Sequence, residues 1–191
     1  MKTFTSLTCV FILFCLVSGC TVEEETVIEE TSVFKVTEGI SNQLSGKFSY
    51  TEYCSQTDLI AGQHYNVGTV TTKIEEPNLI ITYTTINGWT LDETHLTIGG
   101  CDTGIFAGDR IKIGQFEHSE NHSEGVTEVS YSIDLNYVDD IYCFAAHASV
   151  ISSEGTQETA WGEGTEFGGK NGWKMYVEGN LEDCYRVDVI K

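Results

Sequence analysis

From Val129 to Leu135 apolar and polar residues change places at every step: Val129, Tyr131, Ile133 and Leu135 interleave with Ser130, Ser132 and Asp134. Successive side chains of an extended chain point to opposite faces, so this spacing gathers the four apolar groups on one side. A helix would scatter them. The same alternation recurs at Trp173, Met175 and Val177, and again at Tyr185, Val187 and Val189. Leu79–Tyr83 and Ile141–Val150 are apolar on both faces and read as central strands. Further strands are expected over Phe48–Tyr53, Val67–Ile74 and Thr94–Ile98, with turns at Asn87-Gly88, Gly99-Gly100, Gly168-Gly169 and Asn171-Gly172. No window keeps a helical period. The pattern implies an all-β fold, a single antiparallel β-sandwich of Ig-like or jelly-roll-like form over residues 46–191.

The amino terminus has a different character. Lys2 precedes an apolar run from Cys9 to Val17, shorter than the roughly 20 residues a spanning helix needs. The run leads into Val17-Ser18-Gly19-Cys20. This resembles the lipobox of bacterial lipoprotein signal peptides, in which small residues precede a cysteine that is acylated and becomes the first residue of the mature chain. The resemblance implies a signal peptide over residues 1–19 and lipidation at Cys20. Each buried methylene of such acyl chains contributes about 0.8 kcal/mol, enough in sum to hold a protein on a membrane.

Thr21 follows in place of the Asp that often retains such lipoproteins at the inner membrane, which implies export to the outer membrane. The acidic run Glu23–Glu30 resembles the surface-export signals of some Gram-negative lipoproteins. Its like charges also extend a chain, so residues 20–45 read as an acidic tether, with room for a first strand near Val33–Val36.

Seven cysteines are present. Cys9 and Cys15 leave with the leader and Cys20 is taken by lipid, so Cys54, Cys101, Cys143 and Cys184 remain. An even set in an exported domain implies two disulfides, with three connectivities open. We favour the nested one, in which Cys54–Cys184 ties the ends and Cys101–Cys143 staples the middle. No C-x-x-C pair occurs, which argues against a zinc ribbon or a thioredoxin-type redox site.

The charge balance, 10 Lys and Arg against 29 Asp and Glu, repels phosphates and argues against nucleic-acid binding. A solvated acidic surface is the plain reading, and calcium binding the sharper one. Asp102 and Asp109 in the Cys101–Asp109 loop, with Asp139 and Asp140, offer the oxygen ligands calcium wants, although in no EF-hand spacing. His118 and His122, flanked by Glu117 and Glu124, are the nearest approach to a metal-hydrolase cluster. On a helix they would share a face, but Glu117–Glu124 reads as an exposed loop. His147, in the most apolar strand, reads as a buried imidazole. No G-x-S-x-G, H-E-x-x-H or phosphate-binding glycine loop is found, and the chain reads as a non-enzyme without a cofactor.

Asn78–Tyr83, Asn87–Leu96, Lys112–Phe116, Ala145–Ala148 and Glu158–Gly162 together resemble an uncharacterised β-sandwich module of bacterial surface and secreted proteins, and more loosely carbohydrate-binding sandwiches. That resemblance covers about half the chain. It implies a binding or adhesion module for glycan or another surface polymer, with Trp89 and Trp161 beside turns as stacking residues. Trp173, which alternates with Met175, reads as core. The alternatives are an accessory envelope lipoprotein without a small ligand and, less well supported, a hydrolase using His118 and His122.

Overall fold

A computed structural model of the protein describes residues 33–40, 53–108, 111–167 and 172–185. Among them lie β1 (Phe34–Gly39), β2 (Ser55–Ala61), β3 (Tyr65–Glu75), β4 (Asn78–Thr85), β5 (Thr90–Gly99), β6 (His118–Asn121), β7 (Glu128–Asp134), β8 (Ile141–Ile151), β9 (Gln157–Gly162), β10 (Thr165–Glu166) and β11 (Met175–Asn180). The fold is all-β, and every strand pairing is antiparallel.

Hydrogen bonding runs in the order β1-β7-β4-β3-β2-β9-β8, with β11 and then β10 continuing from β8, and with β5 also on β8 and β6 on the far edge of β5. The alternation in the sequence specifies one buried face, which two stacked sheets or a single curled one can satisfy. Here the strands form one curled network. β8 makes this possible because it pairs with three strands. β5 runs along nearly all of it, while β11 takes residues 141–144 and β9 takes residues 147–151. The curl brings β6 back to β1. Phe34 stacks on His118 with ring centroids 3.3 Å apart, and His122 bonds Glu38 at 2.6 Å.

The enclosed face carries the main core: Leu59, Val67, Leu79, Tyr83, Leu96, Val129, Tyr131, Tyr142 and Phe144 are all buried. Val129, Tyr131 and Ile133 point inward from β7 while Ser130 and Ser132 stay half-buried, as the alternation requires. A second, smaller core covers the other face of β8. There Ile111, Phe116, Ala145, Trp161 and Phe167 are buried beneath the segments that follow β5 and β10. The two-faced apolar reading of Ile141–Val150 has its reason here, since both faces of β8 are covered.

Several local readings change. Phe34–Gly39 falls in the stretch assigned to the tether, yet it pairs along its whole length with β7. β2 has too few apolar residues to show a period and is held by its neighbours β3 and β9. His118–Asn121, read as a loop, is an edge strand. Leu181–Cys184 forms a short helical turn, with the Asn180 side chain accepting from the Glu182 N–H. Residues 48–52, 168–171 and 186–191 lie outside the described residues, so the strand expected from Phe48, the turns at Gly168-Gly169 and Asn171-Gly172 and the strand after Tyr185 do too. Both disulfides are formed in the nested pairing, Cys54–Cys184 and Cys101–Cys143.

Gly68 sits beside the β2–β3 bulge, where the register shifts between Leu59 and Ile60. A Cβ there would collide with the backbone carbonyl of Thr84 on β4, and a backbone group cannot rotate away. Gly68→Ala is therefore expected to cost about 1–3 kcal/mol, measured as a lower urea midpoint with unchanged slope. An unchanged midpoint would refute the close approach.

Candidate functional site

Three turns meet at the end of the sheet opposite Phe34. The β2–β3 turn holds Gly62 and Gln63 at positive φ, the β4–β5 turn holds Asn87 and Gly88 likewise, and Ser152–Thr156 links β8 to β9. At Asn87-Gly88 the sequence signal is a turn, and the Trp89 N–H donates to the Ile86 carbonyl across it; the turn passes the chain from β4 to β5, which pair with other strands and not with each other. β3 lies between the first two turns, because the Ile86 N–H donates to the Val67 carbonyl.

Tyr65 is 59% exposed at the start of β3. A Cβ placed on Gly62 would lie 3.2 Å from the Glu158 carboxylate and 3.6 Å from the Tyr65 ring, and one on Gly88 would lie 3.2 Å from Ser153 Oγ. Trp89 is half-buried, with its inner side against the main core. Tyr65 thus stands near a carboxylate and the Asn87-Gly88 turn beside a hydroxyl, and an aromatic face near polar groups of this kind can stack on a sugar ring and bond its hydroxyls. Sequence reading found Trp89 here and missed Tyr65 and Glu158, whose meeting depends on β2–β3 and β2–β9 pairing.

Trp161 is placed differently. It is 3% exposed and packs in the second core against His147, at a centroid distance of 4.8 Å, and Phe116, at 6.2 Å. It cannot stack on a ligand without that core opening. Trp173 is half-buried in the same cluster.

His95, His147 and Trp161 form a row across β5, β8 and β9, directly opposite one another in register. The two imidazoles lie 5.2 Å apart, and the Glu93 carboxylate holds His95 Nε2 at 3.1 Å. His95 Nδ1 and both ring nitrogens of His147 are buried without hydrogen-bond partners. Burial, then His95, then the Lys174 ammonium push the His147 pKa down to about 3. A cationic neighbour and two imidazoles make a poor metal centre.

His118 opens β6 and His122 follows its last residue, and both side chains reach β1. Each is engaged separately. His118 stacks on Phe34, and burial lowers its pKa to about 4. His122 donates from Nδ1 to Glu38, while its Nε2 bonds the Thr94 hydroxyl at 2.7 Å, which in turn bonds the Tyr131 hydroxyl at 2.6 Å. Among the described residues the one group of three candidate metal-ligand atoms is Cys101, Cys143 and Glu178, and its sulfurs are already joined to each other. Asp102, Asp139 and Asp140 are exposed, with the Asp139 carboxylate beside Gly100 and Thr103. Asp109 lies outside the described residues. Among the described residues no helix is long and apolar enough to cross a membrane. No protein-family model matches the chain, and neither does any curated protein or solved structure.

His147 and His118 carry a prediction. Each has a folded pKa below its unfolded value near 6.5, so the unfolded chain takes up protons that the folded one refuses. Stability is therefore full above pH 6.5 and falls as pH drops toward about 4 for His118 and about 3 for His147. His147→Leu should flatten this decline between pH 6.5 and 4 in urea titrations, relative to wild type. Parallel curves for the two proteins would refute the assignment.

Proposed function

We propose that the protein is a lipid-anchored bacterial envelope protein, held through acylated Cys20 at the outer membrane or cell surface. Its domain acts as a non-catalytic binding or adhesion module for glycan or another surface polymer. The observation that carries the export is the cysteine chemistry. All four cysteines beyond the leader and the lipidation site pair off, and such bonds persist in oxidising compartments and are rare in the cytosol.

The three-turn end supports the binding half of the reading. Tyr65 and Glu158 stand at strand starts, and Asn87 and Trp89 on the turn after β4, all held by strand pairing, so a sugar would meet pre-positioned groups and cost little ordering. Trp161 is no longer part of this surface, and Tyr65 takes its place.

Mass spectrometry of the native protein should show a diacylglyceryl cysteine at position 20 and no leader. On glycan arrays and isolated envelope polymers, Tyr65→Ala and Trp89→Ala should each weaken binding about tenfold or more, with the thermal midpoint of Tyr65→Ala unchanged. Binding that survives both substitutions would overturn the site. An absence of any polymer binding, with co-purification of an envelope protein, would favour an accessory role.

A further inference from the structure

Large apolar side chains exposed at the surface are unevenly distributed over the described residues. Seven stand out: Ile40 and Tyr65 belong to the three-turn end, while Val33, Tyr53, Tyr137, Ile141 and Tyr185 belong to the opposite one. Hydrogen bonds and a disulfide knit these five positions into one surface. The Asp134 N–H donates to the Val33 carbonyl and the Leu135 N–H to the Pro77 carbonyl, which places Val33 and the Leu135–Tyr137 turn around Pro77. The Tyr185 hydroxyl donates to Glu76, next to that proline. The Cys54–Cys184 bridge joins Tyr53 to Tyr185, and the Leu181 N–H donates to the Asp140 carbonyl beside Ile141. Clustered apolar exposure of this kind marks an interaction surface.

We propose that this end docks on the lipid bilayer, its tyrosines and Ile141 settling at the headgroup boundary. The inference rests on the lipid-anchored reading. Val33 is where the chain coming from Cys20 joins the sheet, and thirteen residues reach at most roughly 45 Å. A bilayer holding the acyl chains is therefore within reach of this end first. Tyrosine suits the boundary because its ring is apolar and its hydroxyl stays hydrated. Six exposed acids, Glu75, Glu76, Asp139, Asp140, Glu182 and Asp183, stand at this end beside the apolar groups. Those acids set the lipid preference, favouring zwitterionic over anionic headgroups. Docking here points the three-turn end away from the membrane, where a polymer can reach Tyr65 and Trp89.

The test uses the full lipidated protein in phosphatidylcholine vesicles with brominated acyl chains, and reads tryptophan quenching after subtraction of the wild-type signal. Tyr137→Trp and Tyr185→Trp should be quenched at least twofold more strongly than Ile40→Trp at the opposite end. Adding phosphatidylglycerol should weaken the difference, and salt should restore it. Equal quenching at the three positions, with Cys20 shown by mass spectrometry to be acylated, overturns the docking and leaves the anchor standing. An unacylated Cys20 and protein that washes off the vesicles overturns both. Shielding of Tyr137 in native membranes but not in pure lipid overturns lipid docking in favour of a protein partner.

Discussion

The molecule depends on β8 being covered on both faces and paired along both edges. Its inward side chains, Tyr142, Phe144, Ala146, Ala148 and Val150, fill the main core, and its outward Ala145 and His147 lie under the second. A strand in that position cannot expose a face without losing one of the two cores. Its apolar sequence leaves it no alternative register in which a polar face meets water. β5, β9 and β11 are fixed by their pairing with β8, and through β9 the meander β2-β3-β4-β7-β1 is fixed as well.

Curling has its own cost, because a sheet that rolls up must settle its two ends. β1 and β6 do so with side chains. The Phe34–His118 stack and the Glu38–His122–Thr94–Tyr131 chain of hydrogen bonds stand where backbone pairing would close a barrel. This explains why the polar stretch His118–Asn121, with His122 just past its end, is strand. The two imidazoles are bonded or stacked against β1, while Ser119, Glu120 and Asn121 are exposed.

Much of the fold was legible in the chain because alternation and two-faced apolar runs report burial directly. β4, β7 and β8 declare themselves in this way, and the Asn87-Gly88 turn falls where the sequence puts it, although the β4 and β5 it joins do not pair. β2 and β6 do not, because partners rather than composition make them strands. The nested disulfides were one of three open pairings. The site was harder to read. Trp89 and Trp161 look alike in sequence, each beside a turn, and only the packing of Phe116 and His147 against Trp161 separates them. Tyr65 and Glu158 are 93 positions apart in sequence, and no local pattern announces that they meet.

The Cys54–Cys184 bridge encloses every strand among the described residues except β1 in one covalent loop. A pull on the amino terminus is carried first by the six residues Phe34–Gly39, through their ladder to β7 and their side chains on β6. Under tension β1 can strip away while the cross-linked remainder keeps its shape. The domain thus has a mechanical weak point at its first strand, and the three turns lie on the protected side.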